Sequence, residues 1–345
     1  MLRSQSIGIM NKNKHLTSFS HRRKLLAAGV SLPAMTWPCM AYAQAKPPVV
    51  IGWLAAGKRE SDPYQINAFN EGMAERGWKL GAQYVLEERW LDGHMELLRA
   101  TTEDLAAKKP GVIVVSTFAV AVAMTKAAPN TPIVLRSGSP VESGLVKSLA
   151  RPGGMVTGIT NFGPELIGKH VELLLEAAPR IRRIGFLINP TTLAIAAHRD
   201  MIQNAAKRFS IEVRLGEASK QEELDAALNR MAKDGAQAIV LAPGIWFGNA
   251  RHRIMQFALA HRMPVVAGVF SFAEAGALIS YGGDARAQLR RTAYFVDRIL
   301  RGAKPADLPI EQPTVFELVV NMKTAKALGI TFPPTIMVRV TRVIE

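Results

Sequence analysis

Cysteine is nearly absent from this chain of 345 residues; Cys39 is the only one. One thiol excludes an intrachain disulfide framework and a multi-cysteine metal cluster. Charged residues are 21% of the chain, aromatics 7% and apolar residues 48%. That balance excludes collagen, low-complexity arrays and a disordered chain. It leaves material for large cores, and the length suits about two domains. Acidic residues are missing from positions 1–45, which hold Arg3, Lys12, Lys14, Arg22, Arg23 and Lys24. These six account for part of the net charge of +15 and leave +9 on the other 300 residues. The excess of positive charge is therefore a weak argument for nucleic acid as partner, and none is expected.

Long apolar runs are also lacking. The run Leu25–Met35 follows Lys24, holds Pro33, and is too short to span a bilayer. Basic residues, then this run, then Ala41-Tyr42-Ala43-Gln44-Ala45 read as a signal peptide over 1–45, cut near Ala43 or Ala45. Arg22-Arg23 also fits a twin-arginine signal, and both export routes stay open. The expected mature product is free of cysteine and resides in the periplasm, where a disulfide is permitted and none is needed.

The motifs of common chemistries are missing as well. No G-x-G-x-x-G follows the first apolar block, and there is no H-E-x-x-H and no G-x-S-x-G. Gly163–His170 approaches a phosphate loop, but His170 stands where a hydroxyl must hold magnesium. It reads instead as a helix start with Pro164 in the first turn. His94, His170 and His198 are isolated and read as surface or capping residues. His252 and His261 read as a solvated basic face. Neither an enzyme nor a cofactor or metal is implied.

What is present is a rhythm of strands and helices. Val49–Leu54, Tyr84–Leu86, Val112–Val115 and Pro132–Leu135 are short apolar blocks, with helical spacing between them at Ile66, Phe69 and Met73 and over 94–107. The rhythm breaks near Arg151–Gly154. It restarts with strands at 184–188, 211–215, 238–241, 264–266 and 277–281, and helices at 191–209, 219–233, 248–261 and 285–300. The fold class is α/β: two doubly wound parallel-sheet lobes with a cleft between them. Ligands of such sheets sit beyond the carboxyl ends of the strands. Those ends supply Ser116, Thr117, Ser137, Ser139, Asn189, Thr191 and Thr192. Ser116 and Thr192 read equally well as N-caps. Trp246 with Phe247, or Phe270 with Phe272, are rings placed to stack on an apolar or aromatic ligand, with core packing as the competing reading and the favoured one for Phe272; Tyr64 follows the first strand's loop and is placed to close over the cleft.

Three stretches carry a family resemblance. They are Ser143–Thr160 with its Ala150-Arg151-Pro152-Gly153-Gly154, Phe272–Gly282 with its Ile279-Ser280-Tyr281-Gly282, and Val296–Thr314 running through Phe316–Asn321 and Lys323–Gly329. Over about residues 49–345 the chain resembles ABC-transporter substrate-binding proteins of the periplasmic-binding-protein type I fold, in the tryptophan/phenylalanine-type group. The resemblance implies lobe 1 at 46–160 plus about 283–304 and lobe 2 at 161–282 plus about 305–345, with a multi-crossover hinge. It adds Asn161, Ser271 and Tyr281 to the candidate contacts, with Thr160–Phe162 and Tyr281–Gly283 as hinge. It implies a monomer that closes on a small organic solute, an amino acid or a related compound, and delivers it to an ABC permease in the inner membrane. Ser139 stands where the family has an Asp before Pro140, and no arginine lies near Ser271, so a less charged guest is expected. The alternatives are a periplasmic sensory partner of a membrane receptor and a repressor-like effector domain.

Overall fold

In the computed structural model, the described residues are 47–345 except 61–62, 139, 142–143, 161–163, 193–194 and 243–244; for 164–165 and 245–246 only the backbone is described. The signal segment, its cleavage positions, Cys39, Ser139 and Asn161 lie outside them.

The first lobe is built from β1 (Val49–Ala55), α1 (Tyr64–Ala74), β2 (Tyr84–Trp90), α2 (Leu98–Ala107), β3 (Val112–Val115), α3 (Phe118–Ala127), β4 (Ile133–Leu135) and β5 (Val156–Gly158). Its five strands pair in parallel in the order β2-β1-β3-β4-β5. Successive side chains of a strand point to opposite faces. Hence Ile51, Trp53 and Ala55 enter one core with Phe69 and Met73, while Leu54 enters the other with Leu105, Val120 and Met124. Both faces are covered, and that is why the strands read as unbroken apolar blocks.

The second lobe follows with α4 (Pro164–Ala177), β6 (Arg183–Ile188), α5 (Ile195–Phe209), β7 (Glu212–Glu217), α6 (Gln221–Lys233), β8 (Ala238–Leu241), α7 (Ile245–Asn249), α8 (Arg251–Ala260), β9 (Val265–Ala267), α9 (Phe270–Glu274) and β10 (Ile279–Gly283). The order β7-β6-β8-β9-β10 repeats that of the first sheet. After α10 (Ala285–Leu300) come β11 (Phe316–Asn321), α11 (Met322–Leu328), α12 (Pro334–Met337) and β12 (Arg342–Ile344). β11 is antiparallel to β10, and β12 is parallel to β11 at the edge.

The chain crosses between lobes three times. The first crossing lies between β5 and α4. The second is at Gly283–Ala285, because α10 turns back to pack on the first sheet. Asp284 caps it, its carboxylate accepting from Arg286 N at 2.8 Å and Ala287 N at 3.0 Å. Leu289, Ala293, Val296 and Ile299 then bury one face against α1 and β1. Gly72 permits this approach, since a Cβ there would lie 2.8 Å from Arg290 Cα. The third crossing comes later than the sequence suggests. Leu308 and Ile310 are buried in the first lobe's cores, and Glu311 N donates to Gly158 O at 2.9 Å. Residues 305–311 thus stay with the first lobe, contrary to their assignment to the second, because their apolar side chains fit beside β5.

Two histidines correct the sequence reading. His170 and His198 are buried, not surface residues. Each occupies an inward position of an amphipathic helix, and a lone polar residue on an apolar face gives no sign of its depth. Pro164 does open α4, as expected.

Candidate functional site

A sheet of order 2-1-3-4-5 has its crevice where the chain reverses direction, between the first and third strands. In the first lobe this lies between the loops after β1 and β3. They are tied together: Ala56 N–H donates to Ser116 Oγ at 2.9 Å. Ser116 is therefore not the helix cap. Thr117 is, with its buried hydroxyl accepting from Val120 N at 3.2 Å. Ser137 lies half-buried at the tip of β4. Next to it Gly138, with φ 131°, packs so tightly that a Cβ would stand 2.9 Å from that of Phe118. Only glycine adopts that backbone freely.

The second lobe presents the equivalent loops after β6 and β8. Asn189 Oδ1 accepts from Thr191 N at 2.9 Å and from Thr191 Oγ1 at 2.8 Å. This is an Asx turn that shapes the loop. Thr192 is half-buried and its N–H turns back to Asn189 O. Phe247, just beyond Trp246, is fully buried in the second lobe's core, and Phe272 is buried there too. Ser271 is buried within α9. The side chain of Trp246 is not described.

Side chains from the two lobes meet. The Tyr64 ring, at the start of α1, lies 4.9 Å from the Phe270 ring, at the start of α9, tilted by 57°. The guanidinium of Arg286 lies 5.9 Å from the first ring and 5.7 Å from the second. Arg342 approaches Phe270 at 5.4 Å and pairs with Glu274 at 2.6 Å. Asn249 at the end of α7 faces Gly57 and Gly93 of the first lobe, where an added Cβ would come within 3.8 and 3.3 Å of its amide. So two of the rings read as ligand contacts touch each other. No sequence rule links Tyr64 with Phe270, and Asn249 carried no signal at all.

Below the first lobe's loops, Arg136 lies 4.5 Å over the Trp53 ring and donates to Gln65 Oε1 at 2.9 Å. This fixes a cation beside the α1 terminus that bears Tyr64. Where the second crossing leaves β10, burial pushes the Glu317 carboxyl up, and Asp284 adds to the rise; Arg342 and Arg286 oppose it. Tyr281 is not brought to the strand tips. Its ring stacks on Phe316 at 5.6 Å and lines a groove of about 550 Å³ between α4 and α5, within the second lobe alone. Its carbonyl accepts from Nε2 of the buried His170 at 2.7 Å. Burial holds the His170 pKa down, to about 4. Among the described residues no group of three His, Cys, Asp or Glu side chains is placed to hold a metal ion.

The family model described as "ABC transporter substrate binding protein" matches residues 60–344. The chain belongs to the ABC-transporter substrate-binding protein family. A tyrosine-binding protein of Clostridioides difficile is 24% identical over 262 residues, 75% of each chain. Among solved structures, this substrate-binding protein is similar to an ABC domain of Streptococcus pneumonia in complex with L-Trp, with a TM-score of 0.79 and 22% identity over 86% of this chain and all of the other. It is also similar to a ligand-free, open substrate-binding protein with adhesive properties from Clostridium difficile, with a TM-score of 0.64 and 21% identity over 86% and 99% of the two chains. The shared architecture is the periplasmic-binding-protein fold. Among the described residues no helix is long and apolar enough to cross a membrane.

Proposed function

We propose that this substrate-binding protein captures a small organic solute, an amino acid or a related compound, between its lobes and hands it to a membrane permease. The observation that carries the reading is that the two sheets share one strand order and that Asn249, beyond β8, lies against Gly57, beyond β1. Hydroxyls of Ser116, Thr117 and Ser137 stand at the first crevice, and the Asx turn of Asn189 with Thr191 shapes the second. Three crossings supply a hinge, and closure about a guest is the motion such a hinge permits. A guest touching both lobes binds the shut form better and shifts the population toward it. The relatives named for tyrosine and solved with L-Trp support an aromatic amino acid as first candidate. Ser137, Ser139, Asn161, Asn189, Thr191, Thr192 and Trp246 are proposed contacts. The protein acts as a monomer after export to the periplasm, with residues 1–45 as its signal.

Calorimetric titration with L-tyrosine, L-tryptophan, L-phenylalanine and a panel of aromatic and aliphatic acids tests this. At least one compound should bind with a dissociation constant below about 100 μM, near −5.5 kcal/mol. A panel that is silent at millimolar concentration refutes the reading. A tagged full-length chain recovered only from the cytosol refutes the export part.

A further inference from the structure

The Tyr64–Phe270 contact has the make-up of a fastening between the lobes. Phe270 is only 5% exposed, and within its own lobe it rests on Ala273 and Val319 alone among the buried residues of its small cluster. Tyr64 from the first lobe, Ala285 from the second crossing and Ile344 of β12 are the partly buried residues packed against that cluster. The rings meet at 4.9 Å and 57°, within the range of favourable tilted aromatic pairs. Arg286 reaches both rings from the crossing itself, and Arg342 reaches Phe270 from the edge strand, where Glu274 holds it. Two cations over ring faces add attraction that is lost when the rings part. Separating the lobes here exposes the Phe270 face to water and removes the ring contact. Neither loss depends on what occupies the cleft.

We infer that Tyr64 and Phe270 are positioning residues for solute capture: a clasp that biases the solute-free protein toward the shut form. They raise affinity for any guest by raising the population competent to hold it. The inference rests on the two-lobe clamp reading, and it is tested without any solute, so the two fail separately.

The described chain holds no cysteine, which allows clean labelling. Dyes placed through Lys108→Cys at the end of α2 and Lys233→Cys at the end of α6, both exposed, report lobe separation by single-molecule energy transfer. Tyr64→Ala should raise the open-to-shut ratio about tenfold, the scale of one aromatic contact with its buried area. Tyr64→Phe keeps the ring and should open the protein less than Tyr64→Ala does. Phe270→Leu, which keeps the core filled, should also open the protein. The double variant Tyr64→Ala, Phe270→Leu should open it by less than the product of the single effects, because either change breaks the same contact. An unchanged distribution in Tyr64→Ala with an unchanged melting temperature overturns the clasp, and so does opening by Tyr64→Phe equal to that by Tyr64→Ala. If the variants open as expected while no solute binds, the clasp stands and the solute reading falls.

Discussion

His170 makes stability depend on pH in a calculable way. It is fully buried on α4, and its Nε2–H donates to the Tyr281 carbonyl at 2.7 Å while Nδ1 has no hydrogen-bond partner among the described residues. Burial lowers its pKa to about 4 from an ordinary 6.5; the Tyr281 carbonyl opposes this only in part. Between those values the unfolded chain binds a proton that the folded chain refuses. The neutral ring's contribution is thus fully present above pH 6.5 and is lost as pH falls toward 4. The shift corresponds to about 3 kcal/mol, with a limiting slope near 1.4 kcal/mol per pH unit. Urea unfolding at half-unit intervals from pH 7.5 to 4 measures it against His170→Gln. The amide of Gln can still donate to the Tyr281 carbonyl but does not titrate. Carboxylates that titrate low in this range, such as Glu88 and Glu176, are common to both proteins and cancel in the difference. His198, also held low by burial, cancels likewise. The parent should lose about 3 kcal/mol more than the variant across the window. Parallel curves for the two proteins refute the argument.

Two further substitutions probe the frame of the site. A Cβ at Gly282 would stand 1.8 Å from Gly268 O, a backbone atom that cannot step aside, so Gly282→Ala should cost about 3 kcal/mol or more; a melting temperature within a degree or two of the parent contradicts it. Ser116→Ala removes the hydroxyl that ties the loops after β1 and β3. It should cost about 1 kcal/mol of stability and speed amide exchange at Ala56; undisturbed exchange there rules out the tie.

Period and composition revealed most of the sheet. β1, β3, β6 and β8 are apolar blocks because both their faces are covered, and α10 announces itself through its apolar stripe and Asp284 at its start. β5 and β12 have three residues each, too few for a period; β4 and β9 are as short but show as apolar blocks. The family strings, rather than any pattern, pointed to the region of β11. The twin lobes were legible because each buries its own core. The partners of Tyr64, His170 and residues 305–311 were not.

The amino-acid sequence by itself determined the α/β class, the two-lobe plan and the family, because alternating apolar blocks and the three long strings are local properties of the chain. Tertiary structure alone decided that 305–311 stay with the first lobe, that Thr117 rather than Ser116 caps α3, that His170 is sealed against the Tyr281 carbonyl, and that Tyr64 closes on Phe270. Each of these depends on groups far apart along the chain meeting in space. Contacts of that kind are set by which surfaces bury one another, and no local pattern records them.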